Sequence, residues 1–534
     1  MHRRILVRGR RRASMGVLCG VVLLASFVPA LPVAAVPRPL ARLLLVGHGW
    51  GPGIGMGQWG DFGYAVRYHW SYERILTHFY GGTAPSTLAA LGRSPDPSLR
   101  VLILENLDLA TNVGFDPVIT SAAGFVVVSA SSSQPSTTTA PSSTTSSSSI
   151  TTAPSTTTAL SSTTSSSSTT TVPSTTSTAT SSTTGAPSAT GPLVPASTLS
   201  VPAGEAVDLR LEPDGTWSAF EGPSCSAARR AVGTRAPVAT GLVDPVAIPA
   251  SEAPSAPRAE LLTLCRHDGL DEALRGRIQA YDRDGYERTI NVVPLESYLD
   301  GVVPAEESPA WGRAGGSDGA PQGEPWGFQA LEAQAVAARS YVLAYAEGGG
   351  WNGYADICDS TFCQAYVGAD YESPVSNLAV RDTVGEVRVA RGTSRIVATR
   401  YSASSGGWTA PGAFPAVPDA GDRCVVAGDP LECNPVHTWR AVLSASVVAR
   451  RFRVGRLVQI AVAARNGRGA FGGRVLRVVL RGSRRTVETT GSRFAGVLGL
   501  RSDWFAVAGA IRAGAPAPPG AAPSASARTA PPAS

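Results

Sequence analysis

The chain has no lysine: all 46 basic side chains are arginines, and only 16% of the 534 residues are charged. An all-arginine complement reflects a GC-rich coding sequence and carries no functional information by itself. Histidine is scarce, with six in the whole chain. None lies near Cys358 and Cys363 to complete a zinc site with them, so no metal or other cofactor is expected. No serine has a histidine and an acid in motif context either, which excludes a serine-nucleophile triad. Long apolar runs are almost missing. The one from Met15 to Val28 is shorter than the roughly 20 residues a membrane span needs, and Pro29 and Pro32 follow it.

That run has a specific context. Arg3, Arg4, Arg8, Arg10, Arg11 and Arg12 precede it, and the small-residue sequence Val33-Ala34-Ala35 follows. This is the layout of a secretory signal peptide, so residues 1–35 are expected to be removed and the chain secreted, with a membrane tie only if cleavage fails. The signal takes six arginines and no acids with it, leaving 40 basic against 40 acidic side chains. The net charge of +6 therefore belongs to the signal and gives no ground for a nucleic-acid partner. Cys225, Cys265, Cys358, Cys363, Cys424 and Cys433 remain, and six cysteines in an exported chain favour disulfides. Proximity suggests Cys358–Cys363 and Cys424–Cys433, leaving Cys225–Cys265, with other connectivities open.

Residues 129–200 are almost entirely Ser, Thr, Ala and Pro, and so little apolar content predicts disorder. The Pro/Ala-rich tail, 513–534, reads the same way. The flanks of 129–200 are strand-like: LRVLILE (99–105) and GFVVVSA (124–130) before, and AVDLRLEPDGTWSAF (206–220) after, with a turn at Asp214-Gly215. The long segment thus reads as an insertion in one β-rich lobe formed by 36–128 and 201–258, since loop closure costs little extra with length. From 259 to 512 the pattern is mixed. RGRIQAYDRDGYERTINVV predicts two strands around Asp284-Gly285, and PLESYLDGVV a short helix. FQALEAQAVAARSYVLAYA (328–346) predicts a helix with Phe328, Leu331, Ala335, Ala338, Val342 and Tyr345 on one stripe. The expected class is α+β: a β-rich lobe interrupted by a disordered insertion, plus a mixed α/β lobe.

Glu306 is the leading chemical candidate. It lies beside Pro304, Pro309 and Trp311, surroundings that desolvate a carboxyl group and raise its pKa as a general acid requires. Glu307 is adjacent and competes for the role, and the plain alternative is a pair of solvated loop acids.

LESYLDGVVPAEESPAWG followed by ALEAQAVAARSYVLAYA resembles the core motif of the SpoIID/LytB family, L-E-x-Y-L-x-G-V-V-x-x-E-M-P-x-x-W then L-x-A-Q-A-V-A-A-R-[ST]-Y. The motif glutamate falls on Glu306 and the motif arginine on Arg339. The chain departs at Glu307-Ser308-Pro309, where the family has Met-Pro. GHGWGPGIGMGQWGDFGYAV (47–66) resembles the family's Gly-rich motif, with Gln58 and Trp59 in place but Pro52 where the family has histidine. DICDSTFCQAY (356–366) and RYSASSGGWT (400–409) resemble two further stretches. The resemblance implies a cell-wall protein, either a lytic transglycosylase with Glu306 as its acid/base or a non-catalytic enhancer that binds glycan and activates a wall amidase. Arg339 is then expected to hold a substrate oxygen or orient Glu306. Gln58, Trp59, Ser404, Ser405, Gly406 and Gly407 are expected to bind peptidoglycan strands.

Overall fold

The computed structural model describes residues 39–108, 110–129, 197–425 and 432–512. The expected signal peptide, the tail and most of the Ser/Thr/Pro segment lie outside these. The fold is α+β. Among the described residues there are eight helices: α1 (Gln58–Tyr68), α2 (Tyr72–Phe79), α3 (Cys225–Ala231), α4 (Leu295–Glu306), α5 (Phe328–Glu347), α6 (Pro374–Asp382), α7 (Ala445–Arg451) and α8 (Gly491–Leu498).

The largest sheet has seven strands in the order Ile357–Cys358, Ser98–Leu102, Tyr286–Pro294, Arg277–Arg283, Val246–Pro249, Phe125–Ser129 and Ser197–Val201. Its last two strands pair antiparallel from Phe125↔Val201 to Ser129↔Ser197. The two flanks of 130–196 therefore meet at one sheet edge, and Ser129 and residues 197–200 are strand rather than part of the expected disordered segment. Residues alternate inward and outward along Phe125–Ser129, as a half-buried strand requires. The turn at Asp284-Gly285 joins two of the central strands, with Arg283 opposite Tyr286. A six-stranded sheet carries the Asp214-Gly215 hairpin, Ala206–Leu211 with Trp217–Gly222. Leu40–His48 sits between Thr438–Ser444 and Phe505–Arg512, so the first described strand is clasped by two of the last.

Helix α5 departs from its expected single apolar stripe. Phe328, Leu331, Ala335, Ala338 and Val342 pack into the core under the large sheets, while Ala330, Ala333, Val336 and Ala337 pack into a second core with α1 and α2. The helix is buried on both sides, which its alanines permit by letting neighbours approach closely while keeping helix propensity high. Helix α4 extends beyond the expected PLESYLDGVV. Strand Tyr286–Pro294 runs directly into it, and Asp96 accepts the Glu296 amide at 2.9 Å to cap its start. Pro304, which cannot donate to the turn below, lies in its last turn, and α4 ends at Glu306.

Two disulfides are described, Cys225–Cys265 and Cys358–Cys363. Cys424 and Cys433 face each other in the register of a short ladder, but their side chains lie outside the described set. Among the described residues no helix is long and apolar enough to cross a membrane.

Candidate functional site

Helix α4 delivers Glu306 at its carboxyl end, where the helix dipole opposes negative charge. Residue Glu306 is partly exposed, and two donors from two other segments hold its carboxyl, with a third polar group beside it. Gln58 Nε2, at the first position of α1, donates to Oε2 at 3.1 Å. The Ala365 amide donates to Oε1 at 2.7 Å. The Tyr401 hydroxyl lies beside the carboxyl and pulls its pKa down.

Each donor is itself positioned. Met56–Gly57 pairs in parallel with Tyr401–Ser402, so the Gly-rich loop and the 400–409 stretch arrive side by side. Gln364 Nε2 donates to the Tyr401 oxygen at 2.8 Å, which leaves the tyrosine's own proton free to donate, and to the Ala338 carbonyl at 3.2 Å. Tyr298 donates to Gln364 Oε1 at 3.2 Å, fixing the amide's orientation. Gln364 and Ala365 follow Cys363 directly, so the Cys358–Cys363 disulfide closes the loop that presents the amide. Burial pushes the Glu306 pKa up, and the Ala365, Gln58 and Tyr401 hydrogen bonds pull against it. A carboxyl balanced this way can exist in both protonation states, as an acid/base group must.

Glu307, the competing candidate, is only 2% exposed and faces Asp61 of α1 rather than solvent. Gln58 and Glu306 are brought together. Trp59 is partly exposed and stands edge-on to Trp311, ring centres 4.8 Å apart.

Two expectations need correction. Arg339 is not directed at Glu306: it has no exposed surface, and Nε and Nη2 form a fork on Glu296 at 2.9 and 2.6 Å. Its remaining donors reach the carbonyls of Glu386 and Val380 at 3.2 Å. Its neighbour seven residues back, Glu332, bonds Gln329 instead. Arg339 thus braces α4, α6 and strand Glu386–Ala390. Ser404 and Ser405 are 0% and 1% exposed. The Ser404 hydroxyl and the Ser405 and Gly406 amides bind Asp422, and the Ser405 hydroxyl binds Asp419 and accepts from Gly407. These donors cradle two buried aspartates and are not offered to a ligand. In the Gly-rich loop the amides of Trp50, Gly51 and Met56 are taken by the carbonyls of Ser404, Arg501 and Arg400. Gly55 adopts φ +78°, and a Cβ there would overlap the Arg400 carbonyl. Its glycines answer crowding inside the protein. Gly55→Ala is expected to cost at least about 1–2 kcal/mol for the left-handed backbone alone, seen as a lower melting temperature, and to displace Tyr401.

Tyr401 and Gln364 were missed as site residues, although both stand in stretches whose resemblance was evident; a tyrosine and a glutamine repeating inside two motif-like stretches were the available signal. Tyr401→Phe removes a hydroxyl that favours the Glu306 carboxylate, and about a tenfold loss of any activity that depends on Glu306 is expected, the worth of one charge-assisted hydrogen bond of about 1.5 kcal/mol. A steady-state assay with a melting control checks it. His48 sits among His437, Phe471 and Trp504, apart from the groups that touch Glu306. Among the described residues no group of three or more His, Cys, Asp or Glu is placed to hold a metal ion.

Residues 283–389 match the family model for stage II sporulation protein, SpoIID, which spans α4, α5 and Glu306 but not the Gly-rich loop or Tyr401. An uncharacterized protein of Brachyspira hyodysenteriae is 32% identical over 120 residues, 22% of this chain and 28% of that protein. The chain thus matches little more than a quarter of the length of that curated relative. No solved structure matches. Residues 283–389 are thus a SpoIID domain, which carries a sporulation and cell-wall theme.

Proposed function

We propose that the chain is an exported lytic transglycosylase that cleaves peptidoglycan glycan strands with Glu306 as its single acid/base. The observation that supports this most is the Glu306 carboxyl, raised in pKa by burial yet held by Gln58 and Ala365 with the Tyr401 hydroxyl beside it. Protonated Glu306 gives its proton to the oxygen bridging N-acetylmuramic acid and N-acetylglucosamine. The muramyl C1–O bond breaks, and the leaving sugar departs with that proton as its hydroxyl. The muramyl 6-hydroxyl then bonds to the oxocarbenium-like C1, and its proton returns to the Glu306 carboxylate. One carboxyl serves both steps, whereas a hydrolysing glycosidase needs two. Gln58, Ala365 and Tyr401 stabilise the carboxylate form between the steps. Trp59, beside Gln58 and edge-on to Trp311, offers a sugar ring a face to stack on.

The test is purified full-length chain on glycan strands with and without stem peptides, alone and with an added wall amidase. Anhydromuramyl products from glycan alone are expected. No such product, together with stimulation of the amidase, would replace this reading with the enhancer one.

A further inference from the structure

Beside the Gln58–Glu306 contact lies a second contact between the same two helices. Asp61 is one turn after Gln58 on α1, and Glu307 follows Glu306 at the end of α4. Asp61 is 0% and Glu307 2% exposed, and none of their four carboxyl oxygens has a well-formed hydrogen bond to a surrounding donor. We propose that Asp61 and Glu307 share one proton and act as a clamp between α1 and the end of α4 that positions Gln58 on Glu306. This rests on the reading of Glu306 given above.

Two facing carboxylates buried without a counter-charge are costly, and one proton turns their repulsion into a charge-assisted hydrogen bond. No cation is among the leading influences on either acid. Asp61 faces Glu307 and Asp419, with the Phe62 amide opposing them, and Glu307 faces Asp61 and Glu306. Tyr80, from the end of α2, faces both acids, and the nearby Arg388 acts on Tyr80. Asp419 is engaged by the Ser405 hydroxyl at 2.7 Å and lies against Asp422, so it adds negative charge if anything. Burial, foremost, pushes both carboxyls well above their ordinary range. Glu307 also caps the carbonyl end of α4, where a negative charge is further disfavoured. The residue that departs from the family pattern just after Glu306 is thereby given a role: it stays neutral by sharing a proton, next to a carboxyl that must change state.

Three readouts on the full-length chain test this, with Glu307→Gln and Asp61→Asn as variants that keep a hydrogen-bonding side chain. By infrared spectroscopy at neutral pH, wild type is expected to show the protonated-carboxyl absorption of a carboxyl hydrogen-bonded to a carboxylate, and Glu307→Gln to show it displaced, because Asp61 has lost its carboxylate partner. Folding raises both acids above their unfolded values near 4, so wild type loses stability as pH rises from there through the folded values. The melting temperature of Glu307→Gln should match wild type at acid pH and exceed it by about 3 °C at alkaline pH. In glycan cleavage, the alkaline limb of kcat/KM, set by loss of the Glu306 proton, should move to lower pH in Glu307→Gln, because the negative charge of the pair beside Glu306 is gone. Equal infrared absorption in wild type and Glu307→Gln, or a melting difference that does not change with pH, overturns the shared proton. An unmoved alkaline limb overturns its coupling to Glu306. If Glu307→Gln does not fold, Asp61→Asn carries the same comparisons. The first two readouts need no activity, so a chain that shows both yet leaves glycan intact keeps the acid pair and sinks the transglycosylase reading alone.

Discussion

Glu306→Gln is expected to lower release of anhydromuramyl products at least about a hundredfold, the lower end of what a positioned general acid contributes. The substitution preserves shape and hydrogen-bonding capacity. The introduced amide oxygen can accept from Ala365 or Gln58, and the introduced amide nitrogen has the Tyr401 oxygen to donate to, so the fold should hold. Stability should even rise at neutral pH. Because burial lifts the Glu306 pKa above its unfolded value, wild type gives up stability as pH rises from about 4 through the folded value. The glutamine has no charge to desolvate. In wild type the cleavage rate should fall on the alkaline side as Glu306 loses the proton it must donate. A rate assay beside a melting curve separates the two effects: a variant that is folded but inactive is the expected outcome, and a folded variant with wild-type rate would remove Glu306 from the chemistry.

Arg339→Ala is expected to act on the fold instead, by about 3–5 kcal/mol. Glu296, whose side chain is 17% exposed, would lose its bidentate partner inside the protein, and the carbonyls of Val380 and Glu386 would lose their donor. Breaking a buried pair from one side is far more damaging than replacing both partners by apolar groups. Arg339→Met with Glu296→Leu should therefore recover much of the melting temperature lost in Arg339→Ala, and should recover glycan cleavage with it. A double variant that is fully folded but inactive would show that the guanidinium takes part in the reaction.

The α+β class and the strands around Asp284-Gly285 and Asp214-Gly215 were legible because they rest on local signals, namely turn residues flanked by alternating apolar positions. The glutamate at the end of α4 was legible from its motif, and so was Gln58. What sequence reasoning lost was everything set by contacts between distant segments. Arg339 stands on the same helix as Glu332, and only the fold reveals that its charge is answered by Glu296, 43 positions away in the chain. Ser404 to Gly407 carry the hydroxyls and amides of a binding loop, but Asp419 and Asp422 return to occupy them. The stripe on α5 showed one apolar face because large residues dominate the pattern. Alanine, small enough for either face, hid the second. The chain continues helical through Pro304 because the missing donor falls in the last turn, where α4 is ending anyway.

Digestion of purified glycan in heavy-oxygen water, with products resolved by mass spectrometry for wild type and Glu306→Gln, tests the central claim most directly. If Glu306 protonates the bridge and the muramyl 6-hydroxyl closes the ring, wild type releases anhydromuramyl ends that carry no solvent oxygen, and Glu306→Gln releases almost none. Heavy oxygen at C1 of the wild-type products, or undiminished release by Glu306→Gln, would contradict it.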